Sequence, residues 1–201
     1  MFGRRTGSRS RGLPKLVAVT QPRSAAAEAY RRHPADNDVV VSFGGTDDGA
    51  RGAQVAEALL PRTKAHIHLV VAPGVEPSAS TIAFAASQPE HVTLQHGPNM
   101  AALLPCARVY VGGAGVTALE ALVVGLDLVL VILAPNQRLN AEVMAQSGQA
   151  VIVADEPQEI ALATVSMLER PHVLKPSPVD GLGAQRVVIA IEQLLKSKRA
   201  V

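Results

Sequence analysis

The sequence predicts an α/β fold, a parallel sheet with helices on both faces followed by a C-terminal helical extension. Three observations lead there. Short apolar runs alternate with helical stretches from Asp38 to Val153. One run, Leu128–Leu133 (LVLVIL), is apolar throughout, as a parallel strand covered on both faces should be. The composition is 48% hydrophobic but only 2% aromatic, with no Trp, so the core is built from Ala, Val, Leu and Ile. Such residues suit helix-on-sheet packing better than a β-sandwich.

The elements run in order along the chain. Asp38–Phe43 reads as a strand ending in Gly44-Gly45, and Ala50–Leu60 as a helix stopped at Pro61. Ala65–Ala72 is a strand, Ser78–Ser87 a helix, His91–Leu94 a short strand and Asn99–Leu104 helical. Ala107–Val111 is a strand running into Gly112-Gly113-Ala114-Gly115, and Val116–Val124 is a helix closed by Gly125. After the strand Leu128–Leu133 come a helix at Gln137–Ser147 with Gly148 at its C′ position and a last strand at Gln149–Val153. Pro157–Glu169 and Leu182–Lys196 are helices. Repeated β–α units imply right-handed crossovers, with ligands bound at the carboxyl ends of the strands. Both glycine-rich loops lie at that edge.

The chain has 201 residues and suits one domain of ordinary size, expected over 38–201. Residues 1–12 carry four arginines among Gly and Ser and read as a flexible basic tail, and 13–37 as a connector. The net charge of +2 is too near balance for a polyanionic partner, and so few aromatics leave little for bases to stack on. No nucleic-acid binding is expected. The lone Cys106 cannot form an internal disulfide and reads as a small buried hydrophobe. The apolar run Ala121–Ala134 carries Asp127 and is too short to span a bilayer. A cytoplasmic protein with no membrane span is expected.

The segment Gly113-Ala114-Gly115-Val116-Thr117-Ala118-Leu119-Glu120 carries the functional signal. Small residues opening a helix let backbone N–H groups approach a phosphate, and the helix dipole favours the negative charge. Thr117 adds a hydroxyl, and Glu120 lies one turn in, where its carboxylate can accept both hydroxyls of a ribose. A purely structural account stays open, in which the glycines allow close helix–strand packing and Glu120 complements the dipole. Gly113-x-Gly115-x-x-Ala118 also fits the loose dinucleotide fingerprint. That alternative, an NAD(P) site, needs an acid about twenty residues on. Ala134-Pro135-Asn136-Gln137 stands there, with Arg138 as the single residue an NADP reading can use.

The combined motifs resemble the C-terminal, donor-binding half of GT-B nucleotide-sugar enzymes. The likeness is to the hydrolase family that removes UDP from a diacetamido-trideoxy-altrose donor in pseudaminic acid synthesis, and behind it to the lipid II-forming UDP-GlcNAc transferases. It covers roughly residues 38–195 and rests on Val41-Ser42-Phe43-Gly44-Gly45-Thr46-Asp47, on Gly113–Glu120, on Asn136-Gln137, and on Asp180-Gly181-Leu182-Gly183-Ala184-Gln185-Arg186. The resemblance implies a Rossmann-like, single GT-B-type half with UDP-sugar as substrate ligand and no cofactor. Glu120 would hold the ribose, and Thr117 with the Val116 and Thr117 backbone would bind the diphosphate. The His96 backbone would meet the uracil edge, and Asn136 and Gln137 would face the sugar. Gly44, Gly45 and Thr46 would lie across the cleft. His96 as an ordinary loop histidine, and Asn136 as a helix cap, remain open. The family's N-terminal half carries the catalytic histidine, and residues 1–37 contain neither that histidine nor its glycine loop. Lys15–Thr20 and Ser24–Arg32 read as a strand-and-helix remnant of the interdomain connection.

Other residues weigh less. His66 and His68 share a strand face, but no third metal ligand is near in sequence. Asp47-Asp48 read as loop and N-cap residues rather than a cation site, and Ser42 and Ser147 have no His–Asp partnership. Three readings stand: a donor-binding module acting with a separate N-terminal half, a minimal hydrolase working as a homodimer, or a non-catalytic protein. The catalytic residues are unassigned. A pyrophosphate bond needs a base or water-positioning group opposite Glu120, which favours the first and third.

Overall fold

The structure, a computed structural model, describes residues 38–173 and 179–199. The expected basic tail and connector, and the strand and helix expected at Lys15–Thr20 and Ser24–Arg32, lie outside the described residues. Strands are β1 Val39–Ser42, β2 Ile67–Val71, β3 Val92–His96, β4 Val109–Gly113, β5 Asp127–Val131 and β6 Ala150–Val153. Helices are α1 Ala50–Leu59, α2 Ala79–Ser87, α3 Met100–Leu103, α4 Val116–Val124, α5 Arg138–Gln146, α6 Pro157–Glu169 and α7 Gly183–Arg199. The six strands form one parallel sheet in the order β3-β2-β1-β4-β5-β6.

The two-residue period of a strand sorts the apolar runs into two cores. Val39, Val41, Val109, Val111, Val129 and Val131 point to one face, where α1 and α6 cover them through Val55, Leu59, Ile160 and Met167. Val40, Tyr110, Leu128 and Leu130 point to the other, under Ala118 and Leu122 of α4 and Ala141 and Met144 of α5. Because β1, β4 and β5 are buried on both faces, their sequences read as unbroken apolar runs rather than alternating ones.

Several local signals act as their chemistry requires. The Ser78 side chain accepts from the Thr81 N–H and starts α2, and Gly125, at φ 105°, ends α4. Helix α1 tightens into a 3-10 turn over Leu60–Arg62 and so passes through Pro61, which sits in the first positions of that turn, where its missing N–H costs nothing. A similar turn, Leu104–Cys106, follows α3. It rotates Cys106 outward, so the cysteine is exposed, contrary to the sequence expectation, while Leu104 and Pro105 take the buried positions.

The amino edge of the sheet is closed by a buried charge network that the sequence did not suggest. Arg108, immediately before β4, pairs with Asp127, the first residue of β5; both are buried. Arg108 also donates to the carbonyls of Met167 (3.2 Å) and Arg170 (2.9 Å) at the end of α6, and Arg170 reaches Asp127 at 3.4 Å. His172 donates to the Gly125 carbonyl at 2.9 Å. The network fastens the end of α6 beneath β4 and β5. Removing one partner of such a pair leaves a buried charge uncompensated, at about 3–5 kcal/mol. Arg108→Met should therefore lower unfolding stability by about that much. In urea titration the midpoint should fall with the slope unchanged, and a loss below about 1 kcal/mol would show that Asp127 is satisfied without Arg108.

Candidate functional site

The strand order reverses between β1 and β4. From β1 the chain passes to α1 on one face, and from β4 it passes to α4 on the other. The loops leaving these two adjacent strands pass to opposite faces of the sheet, the arrangement that in doubly wound sheets makes a ligand crevice at the carboxyl edge. Gly44, Gly45 and Thr46 follow β1 at that edge, and Gly115, Val116, Thr117 and Glu120 follow β4.

The glycines divide into two kinds. Gly112 and Gly113 belong to β4 and are buried, two residues beyond the expected strand end. Gly112 lies opposite Ser42 in the β1–β4 ladder, and a Cβ there would sit 1.9 Å from the Ser42 carbonyl oxygen. A Cβ on Gly113 would meet Leu133 at 2.8 Å. These two serve close packing. Gly44, Gly45 and Gly115 are different, because a Cβ on any of them would meet nothing within 4 Å. Their backbones face open space.

Gly115 is the N-cap of α4 and no side chain caps that helix, so its first-turn N–H groups keep no side-chain acceptor. Val116 is exposed and Thr117 half-buried beside it. Glu120 comes one turn later, half-buried, and no hydrogen bond or ion pair ties its carboxyl to another described residue. Burial pushes its pKa above the ordinary carboxylate value. Across the crevice, Asp47 accepts from the Gly49 N–H (3.1 Å) and Asp48 from the Ala50 N–H (3.0 Å), so both carboxylates shape the loop into α1. Burial pushes the Asp47 carboxyl up, and the Gly49 hydrogen bond opposes this.

After β5, Gln137 turns back over Gly113, where its side-chain oxygen accepts from the Leu133 N–H at 3.1 Å. Asn136 is exposed within the 3-10 turn Pro135–Gln137. It does not cap the helix beyond, because that turn carries the chain into α5 with Gln137 already in helical geometry and no side-chain cap. Arg138 is the exposed first residue of α5. His96 ends β3, exposed, three strand positions from β4 or roughly 14 Å away at about 4.8 Å per strand.

Of the lesser candidates, His66 bonds Thr93 (2.8 Å) and His68 bonds Asp38 (3.1 Å) near the opposite, amino edge, their rings 5.0 Å apart. Among the described residues no group of three metal-ligating side chains gathers. Asp180 accepts from the Leu182 N–H at 3.1 Å and takes both arms of Arg186 at the entry to α7, and that hydrogen bonding holds its carboxyl well below the usual range. One residue that sequence reading passed over lies under the crevice. Tyr110 is fully buried in β4, and its hydroxyl sits 3.1 Å from the Ser42 carbonyl and 3.4 Å from that of Gly113. Its signal in the sequence is faint, a single polar atom in ARVYV.

No protein-family model and no curated protein sequence matches the chain. Its fold does match solved structures. Acinetobacter baumannii MurG superposes with a TM-score of 0.58 at 20% identity, covering 78% of this chain and 52% of that one. The glycotransferase of kitacinnamycin gives 0.55 at 20% identity, covering 85% and 40%. Phytolacca americana UGT2, solved with UDP-2fluoro-glucose and pterostilbene, gives 0.52 at 22% identity, covering 71% and 35%. The chain thus spans between 35% and 52% of the length of these three proteins. The described residues have the Rossmann-like fold of one half of a GT-B protein.

Proposed function

We propose that the chain is the nucleotide-sugar-binding half of a GT-B-type glycosyltransferase or UDP-sugar hydrolase, and that the crevice between β1 and β4 takes the donor nucleotide. The observation that carries the reading is Glu120. Burial has stripped this carboxylate of part of its water, which the hydroxyls of a ligand can replace, and it stands a turn behind an uncapped helix start at the topological switch point. A nucleoside diphosphate meets both features, with its ribose hydroxyls on Glu120 and its phosphates on the Val116 and Thr117 N–H groups and the Thr117 hydroxyl. Gly44, Gly45 and Thr46 face the diphosphate from across the crevice. Asn136 and the amide nitrogen of Gln137 face the sugar, and the base extends toward the backbone at His96. Uridine is the chosen base because a solved neighbour of the same fold holds UDP-2fluoro-glucose. The NAD(P) alternative ranks lower, because the segment after β5, Ile132–Gln137, carries no carboxylate for a ribose.

A second Rossmann-like half would supply the opposite wall and the catalytic base. Its docking is supported by Val188, Ile191 and Leu195, exposed at helical spacing on α7. No helix among the described residues is long and apolar enough to cross a membrane.

With half the wall missing, the chain by itself should bind UDP weakly, at about −4 to −6 kcal/mol, nearer ~1 mM than ~1 μM. It should release no UDP from UDP-GlcNAc. Calorimetric titration with UDP, UDP-GlcNAc, NAD and AMP checks the binding, and steady UDP release by the isolated chain would refute the division of labour.

Glu120→Gln replaces one acceptor oxygen with an NH₂ donor. Hydrogen bonds to charged groups are worth about 1.5–3 kcal/mol, so UDP affinity should fall by about tenfold to a few hundredfold. Binding of 2′,3′-dideoxy-UDP should hardly change. Equal weakening of both ligands would make Glu120 a structural helix residue.

The raised pKa of Glu120 sets a pH dependence. Between its ordinary and raised values the folded state binds more protons than the unfolded one, so this group's contribution to stability falls as pH rises through that window. Ribose binding needs the ionised form and has the opposite sign. Affinity for uridine, which has no phosphate to titrate there, should rise with pH from the acidic side and level off once the carboxyl is ionised. A profile that Glu120→Gln leaves unaltered would assign the titration to another group.

A further inference from the structure

We propose that Tyr110 is the positioning residue of the crevice, its buried hydroxyl setting the spacing of the two loops that form the walls. The inference rests on the nucleotide reading only for its effect on ligand. Tyr110 is buried to 2% exposure, and its hydroxyl lies 3.1 Å from the carbonyl of Ser42, the last residue of β1. The same oxygen lies 3.4 Å from the carbonyl of Gly113, the last residue of β4. Both neighbours are pure acceptors, so the phenol donates its one proton at this joint and bridges the ends of the two strands that part at the switch point. Gly112 makes room for the arrangement, because a Cβ there would come within 2.8 Å of the hydroxyl as well as striking the Ser42 oxygen.

Each anchored carbonyl leads directly into a wall of the crevice: Ser42 into Phe43 to Thr46, and Gly113 into Ala114 to Thr117. A slot for a diphosphate has to hold its donors to within a fraction of an ångström, which open glycine loops cannot do unaided. The phenol supplies the fixed point from below. Burial, and after it the negative charge of Glu120, pushes the Tyr110 pKa far up, so the hydroxyl remains a neutral donor throughout the working range. Tyr110 itself touches no ligand. It acts through the loops.

Tyr110→Phe keeps the ring and its packing and removes only the bridging oxygen. Amide hydrogen exchange of the ligand-free full chain is the first measurement. Exchange at the ladder amides of β1 and β4 next to the joint, residues 40–42 and 110–113, should accelerate by about tenfold or more, while amides of β2 and β3 change less than about twofold. Calorimetry is the second, in which UDP should weaken by about five- to thirtyfold and uridine, lacking phosphates, by less than about twofold. A general loss of stability would instead accelerate exchange everywhere and weaken both ligands alike. That result, unchanged exchange at those ends of β1 and β4, or outright unfolding of the variant overturns the proposal. If the wild-type chain binds no UDP, the nucleotide reading fails while the exchange pattern still decides the role of Tyr110.

Discussion

The close approach of β1 and β4 at Ser42 and Gly112 is the contact on which the carboxyl edge depends. Adjacent parallel strands sit about 4.8 Å apart, and ordinary side chains fit that spacing by standing off the sheet. Here a side chain at Gly112 would collide with the Ser42 carbonyl itself, so the joint exists only because Gly112 has none. It also falls where the crossovers reverse, with α1 on one face and α4 on the other. The two constraints together turn a packing detail into a crevice. Loops that leave tightly joined strands start from a fixed point and open away from each other, leaving Gly44, Gly45 and Gly115 facing space.

Much of this architecture is legible in the sequence, and the legible parts share a cause. Helix α4 at Val116–Val124 and helix α6 at Pro157–Glu169 fall where composition places them, because Gly125 and Pro157 are local signals whose effect depends on backbone geometry alone. Strands β1, β4 and β5 are recognisable because burial on both faces leaves them few polar positions. Roles that depend on what a residue meets across the fold are not legible. Nothing within reach of Arg108 in sequence announces Asp127, nineteen residues on, or the α6 carbonyls beyond it. Cys106 lies in an apolar stretch and is turned outward by a 3-10 turn that periodicity does not encode. The glycine run after Val111 shows the limit most clearly. Four small residues look alike in sequence, yet Gly112 and Gly113 are packing positions inside β4, whereas Gly115 caps the helix and faces open space.

The electrostatics of the crevice bear on how an anion would be held there. The residues assigned to it include no Lys or Arg, His96 enters through its backbone alone, and the one carboxylate among them is Glu120. A diphosphate would be carried by backbone N–H groups and the α4 dipole, with Glu120 a turn away and turned to the ribose. Separating the two functions along one helix resolves the conflict of charge. The phosphate end meets partial positive charge at the helix start, and the carboxylate meets hydroxyl donors one turn deeper. Such an arrangement is sensitive to misplacement, because a phosphate that slides toward Glu120 trades attraction for repulsion. Precise spacing of the loops matters more here than in a site built on guanidinium groups.

That sensitivity also bears on how one half of a cleft would bind alone. Interactions of N–H dipoles with an anion are weak while water surrounds it and strengthen when the site is closed, since the effective dielectric falls. The described residues leave the glycine walls open and α7 with exposed apolar side chains, and the solved structures of the same fold are about two to three times as long as the stretch this chain spans in them. A second half seated against the glycine loops would exclude water from the phosphates and bring its own catalytic groups to the far face of the sugar. Binding strength and catalysis would then arise from one event, the closing of the cleft. The chain would contribute position and selectivity, through Glu120 and the two loops, and leave both the low dielectric and the proton transfer to its partner.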